Sequence, residues 1–210
     1  MHAAQSAFVL TVSTVMPEFF NGVSVVEIGS YNVNGSVRQF FNAPKRYIGV
    51  DLIEGPGVDV VCDGDKFYES VKFDVAISTE CFEHTADYLA IFENMIALTR
   101  PGGLVMFTCA TTGRAEHGTP RTSPKDSPGT CQASGDRANY YRNVIADDFP
   151  ELDLDIYFSS RAFFVNEQSH DLYFLGVKFG GVGDERNMGR FSTIAQRASV
   201  KMLSMQTDMR

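Results

Sequence analysis

The sequence predicts an α/β protein in which helices cover both faces of a mostly parallel sheet. Three observations indicate this fold. Seven short apolar runs follow an apolar N-terminal segment, and the first five are continuous rather than alternating, as expected of strands buried on both faces. Helical stretches fall between several of these runs, which implies right-handed crossovers. The 210 residues suffice for one sizeable core, so we expect a single domain over 1–210.

The predicted elements begin with a helix within residues 1–20. Its apolar residues recur at helical spacing: Phe8, Val12, Val15 and Phe19. The α/β core then covers 21–180. Its predicted strands are 23–28, 46–50, 58–62, 73–78, 103–109, 153–159 and 171–179.

The clearest crossover helix is predicted over 85–99, before the breaker cluster Pro101-Gly102-Gly103. Its apolar face is predicted to contain Leu89, Phe92, Ile96 and Thr99. The last two apolar runs predict an antiparallel hairpin that closes one edge of the sheet. Residues 181–210 predict a tail or helix, from the helical spacing of Phe191, Ile194, Ala195, Ala198 and Met202.

Residues 110–136 interrupt this alternation with a long segment rich in Gly, Pro and hydroxyl residues. A loop of this length within a compact domain is usually functional or disordered. It follows the C-terminal end of a central strand, which is where open α/β sheets bind ligands. We therefore interpret it as an active-site loop that carries Arg114, Glu116 and His117.

An acid near the end of the first strand, Glu27, precedes Gly29 by two residues. A dinucleotide site requires the pattern G-x-G-x-x-G, because backbone amides must approach a pyrophosphate. Tyr31 occupies the position of the second glycine, and a carboxylate would repel a pyrophosphate. The acid instead suits a ligand that brings cations, such as the ammonium and sulfonium of S-adenosylmethionine.

Two further acids end the next two predicted strands. Asp51 could accept hydrogen bonds from both ribose hydroxyls, while Leu52 or Ile53 could cover one face of the adenine. Asp63 ends the third strand, where its carboxylate could accept a hydrogen bond from the amino group of an adenine. Each acid alone is compatible with an ordinary turn after a strand. The three together with Gly29 favour an adenosyl site.

Five segments resemble the class I S-adenosylmethionine-dependent methyltransferases, in particular the type 11-like group. They are VVEIGS, YIGVDL, VVCDGD, FDVAISTECFEHT and LTRPGGLVMFTC, and together they span about residues 23–109. The resemblance implies a Rossmann-like domain with a seven-stranded sheet, S-adenosylmethionine as cofactor, and methyl transfer as the reaction. The sequence departs from the family at Tyr31, where a glycine is usual, and in the short stretch IEGPG after Asp51.

The expected cofactor-binding residues are Glu27, Gly29, Ser30, Tyr31, Gly35, Asp51, Leu52, Asp63, Gly64, Thr79 and Glu80. The expected catalytic residues are His84, His117 and Glu83. A hydroxyl acceptor needs a base, whereas a carboxylate acceptor needs none. His84 is the first candidate for the base and His117 the second. The alternatives are structural: His84 could cap a helix beginning near Thr85 or fix the loop by hydrogen bonding, and His117 could be an exposed loop residue.

Charge, hydropathy and cysteine content restrict the classes of partner and the cellular location that we expect. A formal charge of −8 argues against bulk nucleic-acid binding, and no apolar run is long enough for a membrane span or signal peptide. The four cysteines form no CxxC pair, so we expect no metal site and free thiols in a cytoplasmic protein. We expect a small polar or sugar-like acceptor, methylated at oxygen, and possible oligomerisation through the C-terminal segment.

Two other functional classes fit part of the pattern. A non-catalytic adenosyl-binding or assembly module would retain Glu27, Gly29 and Asp51 but lack a usable base and pocket. A nicotinamide-dependent oxidoreductase would share the sheet, but it would require the glycine turn that is missing here.

Overall fold

The central feature of the fold is an eight-stranded sheet, seen in a computed structural model that describes residues 2–133, 135–149, 154–181 and 186–207. The strands are β1 (Ser24–Ile28), β2 (Arg46–Asp51), β3 (Val60–Val61), β4 (Phe73–Thr79), β5 (Thr99–Ala110), β6 (Phe158–Asn166), β7 (Asp171–Lys178) and β8 (Lys201–Thr207). The helices are α1 (Ala3–Val15), α2 (Tyr88–Leu98), α3 (Pro128–Gln132) and α4 (Asn187–Ala198). Short 3₁₀ turns connect several of them.

The strand order is β3-β2-β1-β4-β5-β7-β6-β8. The five strands from β3 to β5 are parallel, and β7, β6 and β8 continue the sheet in antiparallel pairings. In the central register, Glu27 of β1 lies between Gly49 of β2 and Ile77 of β4. The carboxyl ends of β1, β2 and β4 therefore reach the same edge of the sheet, where ligands bind in open α/β folds.

Helices cover both faces of the sheet, as the continuous apolar strands predict. Along β1, Val25 belongs to the core beneath α1 and α4, and Val26 to the core beneath α2. Phe191 and Ile194 of α4 are fully buried, so the apolar face of the C-terminal segment packs on the chain's own sheet. No helix in the described residues is both long and apolar enough to span a bilayer.

The α/β fold is confirmed, but several predicted elements differ from the structure. The sheet has eight strands rather than seven, because the helical spacing in the C-terminal segment ends at Ala198. Ser199 adopts a left-handed φ of 54°, and the chain then forms β8, which contains Met202. The spacing of Ala198 and Met202 matches a helix only by coincidence.

Two predicted strands have different bounds in the structure. Strand 153–159 is wrong over most of its length, since β6 begins at Phe158; its first residue, Asp153, lies outside the described part of the chain. The strand predicted at 58–62 shortens to Val60–Val61. The predicted hairpin is confirmed as β6 and β7, but it does not form the edge, because β8 pairs with β6.

The crossover helix α2 is shorter than predicted, and its buried face is rotated. Leu89, expected in the core, is 38% exposed. The face that packs on the sheet instead contains Tyr88, Ile91, Phe92, Met95, Ile96 and Leu98. The helix begins only at Tyr88, after a 3₁₀ turn at Phe82–His84, so the prediction placed the start of the helix too early.

Docking of α1 should contribute measurably to stability. Phe8 is 1% exposed, and its ring stacks on Tyr173 with 4.1 Å between centroids. We expect Phe8→Ala to lower the free energy of unfolding by about 3–5 kcal/mol, through lost burial and a residual cavity. Leu10→Ala is the matched control on the same helix, because Leu10 is 54% exposed. Equal urea midpoints for the two variants would contradict the docked position of α1.

Candidate functional site

A cavity of about 350 Å³ opens at the carboxyl ends of β1, β2 and β4. The segments that follow these strands form its floor, and residues of the 110–136 loop lie across it. Every predicted cofactor-binding residue lines this cavity, from Glu27 to Glu80. His84 and His117 line it as well, whereas Glu83 is fully buried behind them. The structure thus brings together residues that are far apart in the sequence.

Glu27 is a buried acid on the cavity wall. Its side chain accepts a hydrogen bond from the Tyr47 hydroxyl at 2.6 Å, and the residue is only 3% exposed. Burial raises the pKa of Glu27 to about 7, although the hydrogen bond from Tyr47 and the charge of Arg38 oppose this shift. A cationic ligand group placed beside it would favour the ionised form.

Gly29 is required both by its backbone conformation and by a close approach. Its φ is +78°, which favours glycine. A Cβ atom at this position would lie 2.7 Å from the Cβ of Cys81, in the segment after β4. The glycine therefore lets the loop after β1 pass directly against the loop after β4.

The two departures from the family pattern, Tyr31 and the short stretch after Asp51, accommodate each other. A Cβ atom at Gly55 would lie 2.1 Å from the Tyr31 ring, so the absence of a side chain at Gly55 makes room for that ring. The backbone N–H of Asn32 also donates a hydrogen bond to the carbonyl oxygen of Pro56 at 2.7 Å. The bulky residue in the first loop is thus paired with a compact second loop.

Asp51 connects these two loops through its carboxylate. Oδ2 accepts the backbone N–H of Tyr31 at 2.9 Å, and Oδ1 accepts that of Leu52 at 2.7 Å. Burial raises the pKa of Asp51, and the two backbone hydrogen bonds oppose the shift. Gly129 of α3 lies above it, since a Cβ there would be 3.1 Å from Oδ1. The loop therefore covers the predicted ribose position.

Asp63 has a partner that the sequence did not reveal. The Arg137 guanidinium donates to Asp63 at 3.0 Å and to Asp87 at 3.0 Å. Adenine recognition by Asp63 would therefore compete with this ion pair. The neighbouring Gly64 is explained by packing, because a Cβ there would lie 2.5 Å from Ile28.

Glu83, His84 and His117 converge at one end of the cavity. Each offers one carboxylate oxygen or ring nitrogen, and these atoms lie within 4.8 Å of one another. The two imidazole rings meet edge to face, with 5.0 Å between centroids. Burial raises the pKa of Glu83 to about 7, and burial with the charge of His117 lowers the pKa of His84 to about 3. Burial also lowers the pKa of His117.

The geometry argues against a helix-cap role for His84 and against a fully exposed position for His117. The N-cap of α2 is Asp87, so His84 does not cap that helix. His117 is half-buried, and its Nδ1 lies 3.1 Å from the Ala115 carbonyl oxygen. Tyr141 contacts both rings, with centroid distances of 5.7 Å to His84 and 5.2 Å to His117. Tyr140 lines the cavity itself.

A second polar group around Glu80 was missed by sequence reasoning. Glu80 adopts a left-handed φ of 53°, and its Oε2 lies 3.8 Å from Nε2 of His2. His2 also lies 3.2 Å from Asp171, which accepts a hydrogen bond from Arg114 at 3.3 Å. Burial and the charges of Glu83 and Asp171 raise the pKa of Glu80 well above its usual value. These contacts join distant segments, so no local pattern predicts them.

The 110–136 loop is more ordered than its composition suggests. It contains a 3₁₀ turn at Pro124–Asp126, the helix α3 and a bridge between Thr119 and Thr122. Other cavity-lining residues that sequence reasoning missed lie in and after it: Asp126, Ser127, Pro128, Thr130, Ala133, Asp136 and Arg137. In the sequence, only the length of the loop indicated that residues of this segment would line the cavity. Loop length does not specify individual contacts.

Fold and cavity together define a class I methyltransferase, and sequence comparison agrees. A family model described as a methyltransferase domain matches residues 5–132, more than half of the chain. The chain therefore belongs to this family and is an S-adenosylmethionine-dependent methyltransferase. This membership removes the support for the nicotinamide oxidoreductase alternative. No curated protein matches the chain in sequence.

Solved structures of similar fold share little sequence with this chain. The 1,6-didemethyltoxoflavin N1-methyltransferase of Burkholderia thailandensis is 17% identical over 83% of this chain and 79% of that chain, with a TM-score of 0.57. The N-methyltransferase NodS of Bradyrhizobium japonicum WM9, bound to S-adenosylhomocysteine, is 14% identical over 83% and 85%, with a TM-score of 0.51.

A third similar structure is phosphoethanolamine N-methyltransferase 2 of Haemonchus contortus, in complex with S-adenosylmethionine. It is 14% identical over 83% of this chain, with a TM-score of 0.55, and this chain spans 52% of its length. Identities this low establish the common fold and leave the acceptor open. The type of cofactor is shared with these structures, two of which contain S-adenosylhomocysteine.

The buried Glu27 should make the stability of the ligand-free protein depend on pH. Its pKa is about 7 in the folded protein and 4.5 ordinarily, so the unfolded chain releases this proton first as pH rises. The stabilising contribution is complete below pH 4.5 and is lost as pH rises through 7, by about 3 kcal/mol.

Urea unfolding at several pH values between 5 and 8 measures this effect. Glu27→Gln keeps an acceptor for the Tyr47 hydroxyl but has no proton to release, so its free energy of unfolding should fall less with rising pH. Parallel pH profiles for Glu27→Gln and the wild type would show that Glu27 titrates normally.

Proposed function

We propose that this methyltransferase transfers the methyl group of S-adenosylmethionine to an oxygen atom of a small polar or sugar-like acceptor. The main observation behind this proposal is that His84 and His117 line the cavity that also contains the strand-end acids, with an oxygen of Glu83 within 4.8 Å of a ring nitrogen of each. A hydroxyl acceptor must lose its proton as the O–CH₃ bond forms. Because burial lowers the pKa of His84 to about 3 and raises that of Glu83 to about 7, Glu83 and His117 are the stronger proton acceptors, and His84 is a neutral polar group beside the oxygen.

Binding of the donor is proposed to use the strand-end residues. Asp51 would accept hydrogen bonds from the ribose hydroxyls, with its remaining lone pairs directed away from the Tyr31 and Leu52 amides. Glu27 would lie near the cationic methionine end, and Leu52 would pack on the adenine. Methyl transfer itself is an in-line displacement, so much of the rate enhancement comes from holding both reactants in orientation.

The acceptor is proposed to enter beneath the 110–136 loop, at the end of the cavity that contains His117. Arg114 and Tyr140 also line the cavity, which gives it polar contacts for a hydroxylated molecule. The loop crosses both the ribose position and the histidine cluster. Its closure over both substrates would exclude water from the reacting atoms. A cytoplasmic location fits the four free cysteines.

An amine is the second candidate acceptor. The charged residues that line the cavity are mostly carboxylates, including Asp65, Glu80, Asp87, Asp126 and Asp136. Such a lining would attract a cationic amine. An amine must be deprotonated before it attacks, and the same histidine cluster could receive that proton.

The ribose assignment predicts weaker cofactor binding in Asp51→Ala. We expect its affinity for S-adenosylhomocysteine to fall by roughly tenfold or more, since charge-assisted hydrogen bonds are lost. Asp147→Ala, at an exposed position outside the cavity, is the control. Calorimetry with a 2′-deoxyribose analogue distinguishes loss of the ribose hydrogen bonds from a general distortion of the site. The variant should lose less affinity for this analogue than for the parent ligand. Unchanged affinity in Asp51→Ala would remove the ribose assignment.

The acceptor class is tested with a labelled methyl donor and a panel of hydroxylated, amine and carboxylate compounds. We expect transfer to a hydroxylated compound, with turnover reduced about 10²-fold in His84→Ala and His117→Ala and with nearly unchanged affinity for S-adenosylhomocysteine. Asp147→Ala, at an exposed position outside the cavity, should retain full turnover. Labelling of amines alone would favour the second candidate. Full turnover in both histidine variants would contradict a role for the cluster.

A further inference from the structure

We propose that Glu83, His84 and His117 form a binding site for a divalent first-row transition-metal ion at the acceptor end of the cavity. One potential ligand atom from each residue lies within 4.8 Å of the other two. Metal–ligand bonds of about 2.0–2.2 Å require ligand atoms roughly 3–4 Å apart. Small side-chain rotations would close the cluster around an ion.

Unpartnered polar atoms provide the second observation. Oε2 of Glu83 and Nδ1 of His84 are both fully enclosed and have no hydrogen-bond partner among the described residues. The other oxygen of Glu83 accepts the Ala110 N–H at 3.2 Å, so the carboxylate is held in place. Leaving a buried polar atom unsatisfied costs on the order of 1–3 kcal/mol. A cation coordinated by these two atoms would offset that cost.

His117 makes the hydrogen bond expected of a metal ligand. Its Nδ1 lies 3.1 Å from the Ala115 carbonyl oxygen, and a carbonyl can only accept, so Nδ1 carries the hydrogen. The lone pair is then on Nε2. Metal-binding histidines commonly donate their second ring N–H to a backbone carbonyl or carboxylate. The Tyr141 hydroxyl donates to the same carbonyl at 3.1 Å, which fixes its position further.

Gly118 allows the two histidines to meet. Its φ is +64°, and a Cβ atom there would lie 2.5 Å from Cε1 of His84. The loop backbone after His117 therefore packs directly on the His84 ring. Any larger residue at this position would separate the rings and open the cluster.

The donor set selects the type of ion. Two imidazole nitrogens and one carboxylate oxygen suit Zn²⁺, Mn²⁺, Fe²⁺ or Co²⁺, whereas Mg²⁺ and Ca²⁺ prefer oxygen ligands throughout. Three protein ligands leave further coordination positions available, as in catalytic rather than structural sites. Since His84 and His117 line the cavity, those positions would face the acceptor.

The competing cluster of His2, Glu80 and Asp171 is a poorer metal site. Asp171 already accepts hydrogen bonds from Arg114, Ser169 and Tyr173. The Arg114 guanidinium also lies 3.3 Å from Nε2 of His2, and this cation would repel a metal ion. The ion is therefore assigned to Glu83, His84 and His117.

The consequence for catalysis rests on the proposed function. An acceptor hydroxyl bound to the ion has a lowered pKa and releases its proton to water. The resulting oxygen attacks the methyl carbon, the O–CH₃ bond forms as the S–CH₃ bond breaks, and S-adenosylhomocysteine leaves. The histidines would then act as ligands, and the proton would not need an imidazole base. This departs from the expectation of a metal-independent site.

Metal binding is tested on the chelator-treated full chain, without donor or acceptor. Calorimetry with Zn²⁺ and visible absorption with Co²⁺ should show one site with a micromolar or tighter dissociation constant. Glu83→Gln and His117→Ala should each weaken it by at least about tenfold, since even residues that only orient metal ligands contribute 10–100-fold. Circular dichroism establishes that each variant is folded.

His2→Ala and His170→Ala are the matched controls and should retain the affinity of the wild type. The proposal is overturned if the folded wild type binds neither ion, if Glu83→Gln and His117→Ala bind as tightly as the wild type, or if only His2→Ala loses binding. The proposed function fails separately. Metal binding without methyl transfer would support the metal site and contradict the proposed function. Methyl transfer by a chain that binds no metal would support the proposed function and contradict the metal site.

Discussion

The carboxylate of Asp51 is the interaction on which the site depends. By accepting the N–H groups of Tyr31 and Leu52, it ties the loop after β1 to the loop after β2. The Gly29 and Ser30 amides reinforce this tie, because both donate to the Val50 carbonyl. The parallel register of β1 and β2 makes these contacts possible, since it ends both strands at one edge. The shape of the proposed donor half of the cavity follows from this junction.

Burial then determines the electrostatics of the cavity. Glu27 and Glu83 are both enclosed, and burial raises the pKa of each to about 7. The pKa of both acids therefore lies near neutral pH, where a nearby cation would favour the ionised carboxylate. For Glu27 that cation would be part of the methyl donor. For Glu83 it would be the proposed metal ion. The cavity thus has two acidic positions, each suited to a different positive partner.

The 110–136 loop connects the two halves of the cavity. Gly129 lies over Asp51, Gly118 packs on His84, and Arg137, just beyond the loop, bridges Asp63 and Asp87. Because one segment touches both the proposed ribose position and the histidine cluster, its position should respond to both substrates. This arrangement gives a physical reason for a long polar segment within an otherwise regular α/β domain.

The sequence by itself determined the α/β class, the strand-end acids and the position of the long loop after a central strand. Strand burial, breakers and an acid near a glycine are local patterns, and local patterns can be recognised without coordinates. The strand that contains Met202 in place of the predicted helix, the buried face of α2 and the partner of Asp63 were decided by tertiary contacts. His117 was predicted, but its convergence with Glu83 and His84 required the loop to fold back through Gly118. Only packing between distant segments fixes such contacts, because the same residues are compatible with several local conformations.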